Sequence, residues 1–279
     1  MTVSYLILGH IAKDLTPGGF RIGGTAAYAA LTAQALGYTP GLITAYDSDV
    51  DPAPLASLAC TRVPSSASTT FENVYRPAGR EQYLRAQAAP LELAAIPAAW
   101  QSAPIIHIGP IVHEVSADIV RALAAKGGFV GLTPQGWLRQ WDTDGRVSYR
   151  PWAEALEMLP FASATVLSLE DVQGDWKTAE RWASAAKVLV ITEGARGCTV
   201  FAPGQPGRSF PVQVEAEVDP TGAGDIFAAA FFIRLNETHS PYRAAQFANK
   251  IAARSVTRPG LEGVPNEAEV RHYRVESEA

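Results

Sequence analysis

The chain has 279 residues, 47% of them hydrophobic and 18% charged, enough apolar side chain to fill the core of one large domain spanning 1–279. A formal net charge of -5, with Lys and Arg scattered, excludes the basic field that would hold nucleic acid or an anionic membrane surface and points to a small-molecule partner.

The N-terminal "MTVSYLILGHIAKD" lacks a basic segment followed by a long apolar core, and no apolar run reaches the roughly 18 to 20 residues that cross a bilayer. Cys60 and Cys198 lie far apart without metal-ligand spacing, so the expectation is a soluble, cytoplasmic protein with free thiols. Along the chain, "YLILG" at Tyr5, "PIIHIGP" at Pro104, "FVGLTP" at Phe129, "ATVLSL" at Ala164 and "VLVITEG" at Val188 are short apolar runs closed by turn-forming or hydroxyl residues. They are expected as parallel strands buried on both faces. Between and around them, "GTAAYAALTAQALG", "SADIVRALAAKGG", "PWAEALEMLP" and "TAERWASAAK" have helical period. Strand and helix alternate, which predicts an α/β fold with a doubly wound, mostly parallel sheet flanked by helices. Two stretches break the alternation: "DLTPGGFRIGG" (14–24) and "TTFENVYRPAGREQYLRA" (69–86), the second with β-type residues on both sides of a Pro-Ala-Gly turn. They are expected to pair as a small β lid beside the ligand-binding edge, an ordinary edge hairpin being the alternative.

The residues most suggestive of chemistry are "EVDPTGAGDIFAAAFF" (217–232), where a strand-like "FPVQVEAEV" precedes an apolar helix. Amides of Gly222, Ala223 and Gly224 would lie at the helix N-terminus, where unsatisfied N–H groups and the macrodipole favour an anion. A carboxylate at Asp225 is awkward for a pure phosphate site. It becomes intelligible as a base that takes a proton from a hydroxyl attacking that phosphate, although a plain capped helix is the simpler reading.

"DPTGAGDIF" closely matches the D-T-x-G-A-G-D-x-F signature of the ribokinase-like, or PfkB-type, carbohydrate kinases, and the resemblance extends over nearly the whole chain. It implies a ribokinase-like fold, Asp225 as catalytic base and residues 222 to 224 as the anion hole. "GGTAAYAA" resembles the segment that faces the sugar (Gly23, Gly24), and "ILGHIAKD" places Asp14 where the family has an Asp holding substrate hydroxyls. "VITEGARGC" resembles the nucleotide-lining V-T-x-G-x-x-G, matching Thr192, Gly194 and Gly197, while "FANKIAARSVTRPG" places Asn249 facing the nucleotide. Taken singly, Gly23-Gly24 is a turn, Asp14 a loop acid, Thr192 a strand-end hydroxyl and Asn249 a helix-surface residue; their joint order supports the functional reading. The P-loop pattern G-x-x-x-x-G-K-[ST] is absent.

Departures bear on metal and acceptor. The family's N-x-x-E, which supports Mg²⁺, stands here as "SLED", with Ser168 and Asp171 in the matching places and Glu170 beside them; a helix cap at Ser168 is the alternative. Tyr28 replaces the Asn that often binds sugar hydroxyls, which disfavours ribose. "TPQGWLRQWD" resembles the D-x-Q-x-x-x-R-x-x-D stretch of inositol-kinase-like members, with Gln135, Arg139 and Asp142 matching and Thr133 departing. Arg139 is either a phosphate-neutralising guanidinium or a surface ion-pair residue. The expectation is an ATP- and Mg²⁺-dependent kinase acting on a sugar or cyclitol, myo-inositol-like polyols favoured, with Asp14, Gly23, Gly24, Tyr28 and Arg139 toward the acceptor. A nucleoside kinase of the same fold and a non-catalytic nucleotide- or sugar-binding regulator are the alternatives. The resemblance also implies a monovalent cation such as K⁺ near Asp219 and "TRPG", and a homodimer through the lid.

Overall fold

The computed structural model describes residues 2–76 and 79–276. Its main sheet has nine strands in the order Arg208–Phe210, Cys198–Phe201, Leu189–Thr192, Ala164–Ser168, Phe129–Leu132, Ile105–Ile108, Tyr5–Leu8, Pro40–Tyr46 and Ala59–Pro64. Cys198–Phe201 pairs antiparallel with both Leu189–Thr192 and Arg208–Phe210 at one edge, and the other pairs are parallel. The central strands Tyr5–Leu8 and Ile105–Ile108 are buried at every position, as a sheet covered on both faces requires. The two faces carry separate apolar cores. On one side Ile7, Tyr28 and Val190 pack with the helices Thr25–Ala35, Ala223–Thr238 and Pro241–Ser255; on the other, Leu6, Ile106 and Leu132 pack with Ala117–Ala124 and Trp176–Ala183. The chain therefore has the doubly wound, mostly parallel architecture.

Helix Ala223–Thr238 is the element that fixes the candidate site. Its residues Ile226 to Leu235 are all buried, so it runs through the core rather than across the surface. Gly131 lets it approach the sheet: a Cβ there would stand 2.5 Å from the Phe232 ring. Full burial of Phe231 and Phe232 contributes on the order of 1.5–3 kcal/mol each, which anchors the helix and leaves its N-terminal turn at the carboxyl edge of the sheet.

A second sheet stands outside the first, in the order Gly19–Gly23, Ala12–Thr16, Thr70–Arg76, Gly79–Ala86. Both stretches that break the strand–helix alternation lie in it. The expected Pro-Ala-Gly turn falls at 77–79, of which 77 and 78 lie outside the described residues. A hairpin, Arg139–Trp141 with Val147–Tyr149, meets this sheet at Gly79–Ala86: Leu84 N–H donates to Gly145 O at 2.8 Å, and Arg146 Nη2 meets Glu81 Oε1 at 3.0 Å.

Two expectations about local structure are corrected. "FPVQVEAEV" is not a strand beyond Phe210; residues 211–218 are irregular, and Val214 and Val218 stay exposed. Pro211 has no N–H with which to extend the pairing, and among the described residues no strand pairs beyond Arg208–Phe210 to receive the alternating valines. "PWAEALEMLP" yields only the helical turn Ala155–Met158, followed by a 3₁₀ turn over Leu159–Phe161 where Pro160 enters. Among the described residues no helix is long and apolar enough to cross a membrane.

Candidate active site

The segment before helix Ala223–Thr238 is shaped by its aspartate and glycines. Asp219 Oδ1 accepts Thr221 N–H at 3.0 Å, closing a tight turn. Gly222 caps the helix with φ 81°, a left-handed backbone that L side chains rarely adopt. A Cβ on Gly222 would also overlap the Tyr28 ring, so glycine is required twice over. Gly224 differs: nothing lies within 4 Å of where its Cβ would stand, so the first turn at the positive end of the helix is open on that side. Of the three amides expected to hold an anion, that of Ala223 donates to Pro220 O at 3.2 Å, so anion binding there requires that bond to give way.

Asp225 sits half-buried one residue further on. Loss of hydration drives its carboxyl up to about 6; a hydrogen bond from the Thr25 hydroxyl and the Arg139 guanidinium oppose the rise, while Asp171 and Asp14 add to it. Four side chains from four distant parts of the chain thus act on one carboxylate. Thr25 was not singled out in the sequence. Its signal was its place, the first helical residue after Gly23-Gly24, where a buried hydroxyl is held at the helix entrance.

Asp14 and the paired glycines form one unit. The Asp14 carboxylate occupies the space a Cβ on Gly23 would need. Gly24, with φ 87°, brings its backbone against His10 O and Ala12 N, contacts that a side chain would block. Tyr28 is buried, its ring against Gly222 and its phenol driven up by burial and by Asp225, Asp14 and Asp219, with Arg21 opposing. It floors the site as packing. Arg139 is drawn inward: its guanidinium lies 5.4 Å from the Phe71 ring centroid and donates to Ile111 O at 3.4 Å, and its charge lowers the pKa of both Asp225 and Asp171.

Ser168 and Asp171 form a capping box: Asp171 Oδ2 accepts Ser168 N–H at 2.9 Å and Ser168 Oγ accepts Glu170 N–H at 3.1 Å. Burial raises the Asp171 carboxyl. Its Oδ1 is met by Gln135 Nε2 at 3.4 Å, and its charge raises the Asp225 carboxyl. No group of three or more His, Cys, Asp or Glu side chains that could hold a metal occurs among the described residues. Mg²⁺ does not need one, because it keeps waters and phosphate oxygens and takes one or two carboxylates, and this donor set fits that habit.

The residues expected at the nucleotide divide. Thr192 and Gly194 line a cavity of ≈ 410 Å³ with Ser168, Glu170, Gln173 and Arg196, beyond the carboxyl ends of Ala164–Ser168 and Leu189–Thr192. Gly197 does not join them as an open wall; with φ 95° it packs where a Cβ would overlap Phe210 O. Asn249 is corrected. It is buried, and its Nδ2 donates to Phe210 O at 2.8 Å, so it supports the sheet edge instead of facing that cavity. His10 and His107 are packed histidines, bonded to Thr69 and Ala89 O, and to Tyr5 and Thr133 respectively.

Residues 165–268 match the model of the pfkB family carbohydrate kinases. The chain is 25% identical to a cytidine kinase from Thermococcus kodakarensis over 81% of this chain and 86% of that protein. It is 31% identical to an inositol 3-kinase from Zea mays, over 55% of this chain and 39% of that one. Among solved structures, a pyrophosphate-dependent myo-inositol-1 kinase converted into a myo-inositol-3 kinase superposes with a TM-score of 0.81 at 20% identity, covering 98% of this chain and 99% of that chain. The Gly-Ala-Gly-Asp turn lies inside the region that matches the pfkB carbohydrate kinase model, and the chain as a whole follows the fold of the ribokinase-family structures.

Proposed function

We propose that the protein transfers the γ-phosphoryl group of ATP to a hydroxyl of a sugar or cyclitol, a myo-inositol-like polyol being favoured. The observation that carries this reading is Asp225: one carboxylate at the amide end of a buried helix, poised near 6 and surrounded by Thr25, Arg139, Asp14 and Asp171. Above that pH it can accept a proton. As it does so, the alcohol oxygen forms its bond to the γ-phosphorus, the bond to the β-phosphate oxygen breaks, and ADP leaves with that electron pair. Charge on the transferring group would be received by the amides of Gly222, Ala223 and Gly224 and by Arg139. Asp14 and Gly24 would position the polyol, and the cavity at Thr192 and Gly194 would take the donor. Mg²⁺, when bound with the donor, would be supported by Asp171 and Ser168 and would screen phosphate charge.

The cyclitol preference draws support from the Zea mays inositol 3-kinase match and from the inward placing of Arg139. A nucleoside acceptor is the second reading, favoured by the reach of the cytidine kinase match over 81% of the chain. The test is product formation, followed by phosphorus NMR, across cyclitols, sugars and nucleosides with ATP and with pyrophosphate as donors. Phosphorylated cyclitol is expected with ATP. Phosphorylated nucleoside alone would favour the second reading, and ligand binding without turnover of any acceptor would make the chain a regulator.

A further inference from the structure

A monovalent cation was expected beside Asp219 and the 257–260 loop, and the groups there do not fit one. Both oxygens of the Asp219 carboxylate are engaged: Oδ1 by Thr221 N–H at 3.0 Å, Oδ2 by Gly260 N–H at 2.9 Å and by Arg21 Nη1 at 3.4 Å. Neighbouring carbonyls are engaged as well. Val256 O accepts from both Val218 and Asp219, Pro259 O accepts from Glu262 N–H, and Gly263 O accepts from Arg258 Nη2 at 3.3 Å. An ion such as K⁺ exchanges its hydration shell for a ring of oxygens, and here two guanidinium groups already face them.

Arg21 is brought to this point by the lid. It pairs directly across from Asp14 in the antiparallel register, so both side chains share one face of the lid sheet. On that face it acts on the Tyr28 phenol together with Asp14, Asp219 and Asp225. Gly260 marks the convergence: a Cβ there would stand 4.0 Å from both Arg21 Cδ and Tyr28 Oη. The contact to Asp219 is single-armed and open to water, so its value lies in placing two elements, not in folding energy. We propose that Arg21 is a resident cation in place of a monovalent ion, tying lid strand Gly19–Gly23 to the 219–222 turn that opens the phosphate end of helix Ala223–Thr238. Arg21 is then a positioning residue for the acceptor, and turnover does not depend on K⁺.

The kinetic half of this inference rests on the kinase reading; the thermal half stands without it. Melting temperatures of the wild-type chain in potassium chloride and in choline chloride at matched ionic strength are expected to coincide, because a bound cation would raise the melting point by mass action. A rise specific to potassium would overturn the proposal, whatever the substrate proves to be. With a phosphorylated acceptor in hand, Arg21→Met is expected to raise acceptor KM about tenfold while lowering kcat less, and Arg21→Lys to stay close to wild type, since one charge at one oxygen is all the geometry uses. Unchanged KM in Arg21→Met would overturn the positioning role, as would a full loss in Arg21→Lys. Should no acceptor be turned over, hydrogen exchange of Gly19–Gly23 replaces kinetics: faster exchange in Arg21→Met supports the tie, and unchanged exchange overturns it.

Discussion

The two sides of the candidate site are built differently. On the proposed acceptor side, Asp14, Thr25 and Arg139 come from a strand of the small sheet, a helix start and a hairpin, and all act on Asp225. On the proposed donor side, Gly197 and Asn249 pack against Phe210 O, while Thr192 and Gly194 border the cavity with Ser168, Glu170, Gln173 and Arg196. The acceptor side therefore concentrates charge around one titratable group, whereas the donor side is largely scaffold with a short polar rim. In the proposed reaction the charged groups that act on Asp225 gather where the small sheet meets helix Ala223–Thr238, away from the cavity proposed for the donor.

The sharpest way to break that contrast is Asp225→Asn. An amide cannot accept the proton, and kcat is expected to fall about 10²- to 10⁴-fold with any acceptor the wild type phosphorylates. A fall below about tenfold in steady-state turnover would remove the base from the mechanism. The same variant tests the electrostatics of the cluster. With a folded pKa raised to about 6 against an ordinary carboxyl in the unfolded chain, the folded protein binds the extra proton between about pH 4 and pH 6. Stability then falls as pH rises through that window. Asparagine abolishes the slope, so at pH 7 the variant is expected to be more stable than wild type, by up to about 3 kcal/mol in denaturant titrations. An inactive variant that is also less stable would mean that Asp225 is held by favourable contacts and not against them.

Arg139→Met is the next largest effect. Charged hydrogen bonds of the kind a guanidinium makes to phosphate contribute about 1.5–3 kcal/mol, so kcat/KM is expected to drop about 10- to 100-fold. The sign of the pH effect separates a charge role from a packing role. The guanidinium lowers the pKa of Asp225, so its removal moves the acid limb of the kcat/KM profile to higher pH. A uniform drop with no shift would assign Arg139 to packing on Phe71 alone.

Legibility in the sequence followed the same divide. Asp225 and its glycines were readable because the determinants are contiguous: a turn, a helix start and a carboxylate within seven residues, 219–225. The alternating buried strands were readable for the same reason. Arg139 stayed ambiguous because its partners, Phe71 and Ile111 beside it and the charge of Asp225 beyond, are brought near only by the hairpin docking on the lid. The irregular course of residues 211–218 was hidden because alternation of valine with polar residues satisfies the strand pattern, while pairing depends on a neighbour that the pattern cannot announce. The commitment of Asp219 to Arg21 spans 198 residues and leaves no local trace.

Asn249 is the quietest test of the contrast, because it is expected to alter stability and leave the reaction alone. Its position on helix Pro241–Ser255 made a pocket-facing role plausible, yet the helix turns it toward the last strand, where its amide satisfies Phe210 O. That carbonyl lies at the point where regular pairing ends, next to the Pro211 that has no N–H, so the side chain substitutes for a backbone partner. Asn249→Ala leaves a buried acceptor without its donor, a loss of about 1–3 kcal/mol that would lower the melting temperature by several degrees. Donor KM, measured below that melting temperature, should stay within about twofold of wild type if the residue is scaffold, because binding that an interaction does not touch is not changed by its removal. A tenfold rise in donor KM without a fall in melting temperature would reverse the assignment, returning Asn249 to the donor and making the two sides of the site alike.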